Sequence, residues 1–95
     1  MEEYFSEEPV RVPITDELDL HTFRPRDVKE VVEDYIGECR RLGIFRVRII
    51  HGKGRSVQKT IVRSLLAGHP DVTDFFDAPP GSGSWGATIA CLKEK

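Results

Sequence analysis

Residues 45–57, Phe45-Arg46-Val47-Arg48-Ile49-Ile50-His51-Gly52-Lys53-Gly54-Arg55-Ser56-Val57, read FRVRIIHGKGRSV. The run up to Ile50 is rich in β-formers and alternates, with Arg46 and Arg48 on one side and Phe45, Val47 and Ile49 on the other, which predicts a strand. Gly52 and Gly54 then interrupt the run beside His51, Lys53 and Arg55. Glycines there serve a plain turn, or a loop that brings bare backbone N–H groups close to an anion such as a phosphate. Beyond them Val57, Ile61, Val62, Leu65 and Leu66 mark an amphipathic helix, with Ser56 as its N-cap and Gly68-His69-Pro70 as its stop.

Working outward, Glu17-Leu18-Asp19-Leu20-His21 alternates with period two, a short strand whose Leu18 and Leu20 face the core while Asp19 and His21 share the opposite face. Thr22 and Pro25 are helix-start signals, and Val28, Val31, Val32, Tyr35, Ile36, Cys39 and Leu42 follow at helical spacing. Gly43 stands where a left-handed residue closes a helix, just after Arg40 and Arg41, whose charges suit its negative end. Val72 to Ala78 and Ala87 to Leu92 supply two further strands, joined by a flexible hairpin loop, Pro79 to Gly86. The expected fold is therefore an α/β two-layer βαβαββ sandwich. Its four-stranded mixed sheet carries two helices on one face, and its first two strands run parallel through a right-handed crossover. Residues 1–16, with Pro9 and Pro13, read as an extended, partly mobile arm, and 17–95 as the domain.

Parallel strands joined by a helix end at the same sheet edge, where ligands of open α/β sheets bind. That edge carries His21, His51 and a glycine turn opening a helix N-terminus. Two imidazoles can accept and donate a proton at neutral pH, and Asp19 can orient His21 by fixing its tautomer. Such a pair suits phosphodiester cleavage, without metal where RNA supplies its own 2′-hydroxyl nucleophile. With DNA, water must attack and a divalent cation such as Mg²⁺ becomes useful. One condition attaches to the pairing of the rings. By strict alternation His51 shares the phase of Val47 and Ile49 and would face the core, so Gly52 must break that phase for the two rings to meet.

Charge is unevenly distributed. The chain has a formal net charge of −2, yet residues 39–68 hold eight bases and no acid: Arg40, Arg41, Arg46, Arg48, Lys53, Arg55, Lys59 and Arg63. Such a block suits phosphate-backbone binding, or simply forms solvated faces of a helix and a strand. The 95 residues, 39% hydrophobic and 32% charged, fit one globular domain. An acidic start without an apolar core segment, and no long apolar run, point to a cytoplasmic protein without membrane contact. Cys39 and Cys91 are too few for a disulfide framework, and with the scattered histidines they make a poor zinc set, so no metal ligands are assigned. Gly81-Ser82-Gly83-Ser84-Trp85-Gly86 fits GxGxxG, but the loop joins two strands instead of opening a helix, which excludes a dinucleotide fingerprint. Trp85 either anchors that loop or stacks on a base.

The set LDLHTFRPRDV (18–28), RIIHGKG (48–54), HPDV (69–72) and WGATIACL (85–92) resembles the Smr, small MutS-related, domain family in order and spacing. The resemblance implies a fold similar to the C-terminal domain of translation initiation factor 3. It also implies a nucleic-acid nuclease or binding module of a family found fused to MutS-like ATPases of DNA recombination and as stand-alone proteins. By motif it places functional residues at Asp19-Leu20-His21, at His51-Gly52-Lys53-Gly54 and at Gly86-Ala87-Thr88. Thr22 stands where many members have glycine. Three readings follow. One is an endonuclease with Asp19, His21 and His51 catalytic, and with Arg24, Arg46, Arg48, Gly52, Lys53, Gly54, Arg55, Trp85, Gly86 and Thr88 holding DNA or RNA. The second is a non-catalytic nucleic-acid adaptor, and the third a phosphate-metabolite binder.

Overall fold

The computed structural model describes residues 14–52 and 56–94. Its elements are β1 (Glu17–Asp19), α1 (Pro25–Arg41), β2 (Arg46–Ile50), α2 (Ser56–Gly68), β3 (Val72–Asp77) and β4 (Ala87–Leu92). The sheet has four strands in the order β1-β2-β4-β3, with β1 and β2 parallel and β4 antiparallel to both of its neighbours. This is the anticipated βαβαββ sandwich. Helix α1 begins with Pro25 in its first turn, and Arg24 is the N-cap without a side-chain bond, so Thr22 does not cap it. Gly43 follows the helix end at φ +80°, the left-handed conformation its position required.

Both helices pack on one face. Val28, Val32, Tyr35, Ile36 and Cys39 of α1 join Val62 and Leu66 of α2 against Leu20, Val47, Ile49, Ala90 and Leu92. Each such aliphatic side chain taken out of water contributes about 1.5–3 kcal/mol before the chain-ordering cost is counted. Along α2 the buried stripe runs Gln58, Val62, Leu66, with Ile61 and Leu65 half-buried. Val57, expected in that stripe, is 60% exposed. Among the described residues the opposite sheet face carries no helix, and it holds a second, smaller cluster of Ile50, Phe76, Ala78, Ala87 and Ile89.

Two segments differ from expectation. Strand β1 stops at Asp19, because the Leu20 carbonyl accepts the Phe23 amide (3.0 Å) and turns the chain toward α1. The segment Pro79–Gly86, expected to be a flexible loop, is instead two consecutive single 3-10 turns, Pro80–Ser82 and Ser84–Gly86. The Pro79 carbonyl accepts the Ser82 amide at 2.8 Å, and the Gly83 carbonyl accepts the Gly86 amide at 2.9 Å. Of the expected arm, residues 1–13 lie outside the described residues. Residues 14–16 are tied to the domain, with the Thr15 carbonyl accepting from the Tyr35 hydroxyl and the Asp16 carbonyl from the Arg48 amide.

Candidate active site at the carboxyl edge of the sheet

The pairing of β1 with β2 aligns Leu18 with Ile49 and Asp19 with Ile50, and the Ile50 carbonyl then accepts the Leu20 amide at 2.8 Å. Paired residues share a face, so Asp19 lies with Ile50 on the helix-free side of the sheet. His21 joins it there. Its Nδ1 is 2.7 Å from Asp19 Oδ1, which also accepts the His21 backbone N–H at 3.0 Å. Because a carboxylate only accepts, Nδ1 carries the hydrogen and the neutral ring presents Nε2 as a free base. Both side chains are open to solvent, His21 at 62% and Asp19 at 48%. The two hydrogen bonds from His21 hold the Asp19 carboxyl below the usual aspartate range.

His51 has the opposite environment. It keeps the phase of Val47 and Ile49, is fully buried, and places Nε2 2.9 Å from Thr88 Oγ1. Thr88 pairs with Ile49 on the helix-facing side of β4. Gly52 adopts φ +87°, but the bend comes one residue too late to swing the His51 ring outward. The structure therefore does not bring the two imidazoles together, because the alternation that governs β2 continues through its first residue beyond the strand. Burial is the largest influence on His51 and lowers its pKa. The Gly52 carbonyl near Nδ1 opposes that shift, Lys59 and Arg63 add to it, and Asp77 offsets them in part. His51 is thus a neutral ring held in place.

What holds it also holds Gly52. The Gly86 carbonyl accepts both the His51 amide (3.1 Å) and the Gly52 amide (2.8 Å), and Thr88 accounts for the ring. Gly86 and Thr88 are buried and engaged with the His51-Gly52 backbone and ring. Lys53, Gly54 and Arg55 lie outside the described residues. Trp85 sits in the second 3-10 turn, and its side chain lies outside what is described.

One residue was missed from sequence. Gln58, in the first turn of α2, is 1% exposed, and its Nε2 donates to the Phe23 carbonyl (2.7 Å) and lies 3.4 Å from that of Leu20. It ties the turn bearing His21 to the helix that follows the glycine turn. The signal was present, since a glutamine stands in helical phase with Val62, Leu65 and Leu66.

Among the described residues, five cations of the basic block face carboxylates. Arg40 faces Asp71, Arg41 faces Glu38, Arg48 faces Glu17, and Lys59 and Arg63 share Asp77. Arg24 meets Asp27 at 3.3 Å. Arg46 is exposed, lies over the Phe76 ring at 5.4 Å, and has no carboxylate partner among the described residues. Among the described residues, no group of three or more His, Cys, Asp or Glu side chains is placed to hold a metal ion, and no helix is long and apolar enough to cross a membrane.

The Smr domain family profile matches residues 18–93. The chain belongs to the Smr domain family. It is 34% identical over 77 residues to the protein named Endonuclease MutS2 of Thermus thermophilus, covering 81% of this chain and 10% of that protein. The Staphylococcus aureus protein of the same name is 35% identical over 83 residues, covering 87% of this chain and 12% of its own. This Smr chain thus spans about a tenth of the length of these relatives. Among solved structures, the Smr domain of Thermus thermophilus MutS2 superposes with a TM-score of 0.79 at 33% identity, covering 83% of this chain and 99% of that one. YdaL, a stand-alone small MutS-related protein from Escherichia coli, gives 0.79 at 27% identity, covering 86% and 67%.

Proposed function

We propose that this Smr domain is a cytoplasmic nucleic-acid endonuclease whose proton-transfer group is the Asp19–His21 pair. The observation that carries the reading is the exposed His21 ring, with Nδ1 hydrogen-bonded to Asp19 and Nε2 left as a base. On RNA, Nε2 removes the 2′-hydroxyl proton, the 2′-oxygen attacks phosphorus, and the 5′-oxygen departs and gains a proton. A cyclic phosphate and a 5′-hydroxyl result. On DNA a water replaces the 2′-hydroxyl: Nε2 takes the water's proton, its oxygen attacks phosphorus, and one ester oxygen departs and gains a proton. Asp19 fixes the tautomer and stabilises the imidazolium that forms. His51 acts as a positioning residue, since its buried ring, with Thr88 and Gly86, sets the backbone from which Gly52, Lys53, Gly54 and Arg55 reach the phosphate. Arg24, two residues beyond Thr22, and Arg46 are proposed to contact neighbouring phosphates, with Trp85 against a base. Relatives that bear the name endonuclease support the reaction class.

The buried His51 favours a second reading, a binding module without cleavage, because one exposed imidazole must then serve as both base and acid. A single experiment separates the two. Wild type and His21→Ala are incubated with single- and double-stranded RNA and DNA, each with and without chelator. The endonuclease reading expects cleavage of at least one substrate and a loss of about 10²–10⁴-fold in His21→Ala with affinity retained. Binding without cleavage of any substrate leaves the module. The chelator arm decides the metal requirement.

A further inference from the structure

The helix-free face of the sheet holds a second concavity that the proton-transfer pair does not use. It encloses about 320 Å³ and is lined by Asp16, Arg46, Arg48, Pro79, Ser82 and Ile89. Its parts are fixed in place. The Arg48 guanidinium is ion-paired with Glu17 and donates from Nη1 to the Ser82 carbonyl at 2.9 Å, so it bridges β1 to the 3-10 turns. Arg46 lies over the Phe76 ring. Apolar surface comes from Ile89, which belongs to the small open-face cluster with Phe76. The Arg48 guanidinium is paired with Glu17 and the Asp16 carboxyl also lines the cavity, so much of its positive charge is offset, a poor match to a bare phosphate. Cationic and apolar walls with polar edges suit a nucleobase, and the exposed Arg46, which has no carboxylate partner among the described residues, is left for its phosphate.

The cavity is also in line with the proposed reaction. Glu17 pairs with Arg48 and Asp19 with Ile50, all on this same face. Two residues of strand separate them, roughly 7 Å, a step that an extended nucleic-acid strand covers in about one nucleotide.

We infer that this cavity is a base subsite for an unpaired nucleotide of a single strand, the nucleotide next to the one whose phosphate meets His21. The inference rests on the endonuclease reading and narrows its substrate to strands, or strand segments, whose bases are free of pairing. A duplex keeps its bases stacked inside and cannot fill it without unpairing one.

The test measures affinity by fluorescence anisotropy for single strands of about ten nucleotides that lack 2′-hydroxyls and so resist transesterification, either intact or with a single abasic position moved along the strand. Cleavage of matching RNA and DNA strands is followed in parallel. One abasic position, adjacent to the cleavage point, should weaken wild-type binding about tenfold while other positions change it little. Arg46→Ala and, independently, Phe76→Leu should bind the intact strand about as weakly as wild type binds that abasic strand, and should lose no more when the base is removed. If cleavage occurs but no abasic position weakens binding, or if duplex binds and is cut as well as single strand, the subsite is overturned and the endonuclease reading stands. If strands are bound without cleavage yet show the abasic and variant pattern, the base subsite stands and the catalytic reading falls. If no strand is bound or cut, both fall together.

Discussion

His21 and His51 follow adjacent parallel strands, each carried past its strand's last residue, yet one ring is 62% exposed and the other fully buried. Parity makes the difference. His21 shares the phase of Asp19, which pairs with Ile50 on the open face, whereas His51 shares the phase of Ile49, which pairs with Thr88 under the helices. A one-residue change in phase therefore turns the same imidazole from a solvent-exposed group into a fastener. The lesson extends to the motifs around them. The DLH segment presents exposed side chains, while the HG and GAT segments fasten to each other.

The comparison breaks most visibly if the two rings are removed in turn. His51→Ala deletes a fully buried ring and leaves the Thr88 hydroxyl without its partner, so it should lower unfolding stability by about 2–4 kcal/mol. His21→Ala touches only exposed surface and should leave stability within about 0.5 kcal/mol, while removing the proposed proton transfer. Urea denaturation of both variants checks the contrast. Equal stabilities would mean that the buried ring does not fasten the turn. A smaller version is Thr88→Val, which keeps the shape but removes the hydroxyl facing His51 Nε2. It should cost about 1–2 kcal/mol in the same measurement.

Acid sharpens the contrast further. The folded-state pKa of His51 is depressed, so its neutral form is the native one and the unfolded chain takes up the proton first. Stability contributed this way is complete above the ordinary histidine pKa of about 6.5 and is lost as pH falls through that value toward the lower folded one. Asp19 is likewise depressed, but as an acid its contribution persists until pH falls below the ordinary aspartate range. Stability measured against pH should therefore decline in two windows, the upper belonging to His51. His51→Gln should remove the upper decline and keep the lower one.

Much of this architecture was legible before any coordinates. The stripe from Val28 to Cys39 marked α1 because helical periodicity is local, and Gly43 marked its end because φ +80° disfavours any other residue. The alternation around Val47 and Ile49 marked β2 and, followed one residue further, already placed His51 inside. The step that did not follow from sequence was the supposed reversal of that phase at Gly52. A glycine permits a change of direction, but what it does is set by its partners, and here the Gly86 carbonyl takes the amides of both His51 and Gly52. Gln58 was missed because a polar residue in an apolar stripe reads as an error until the carbonyls of Leu20 and Phe23 arrive beside it. The basic block was equally non-local. Its eight cations were plain in the sequence, while the carboxylates that face five of them, Arg40, Arg41, Arg48, Lys59 and Arg63, stand at Asp71, Glu38, Glu17 and Asp77, chosen by the fold.

The smallest expected effect tests that last point and returns to the buried ring. Asp77 is 51% exposed and holds Lys59 and Arg63 at 3.3 and 2.9 Å. Exposed pairs of this kind contribute about 0–1 kcal/mol, so Asp77→Asn should change stability by no more than that. Its electrostatic reach goes further than its stability. Lys59 and Arg63 disfavour a proton on His51 while Asp77 favours one, so neutralising Asp77 removes the favourable influence and leaves the two opposing ones in place. The His51 pKa should move further down, which a histidine proton titration by NMR resolves. An upward movement would mean that Asp77 does not act on the ring through charge, and the ion pairs on α2 would then have no part in keeping His51 neutral.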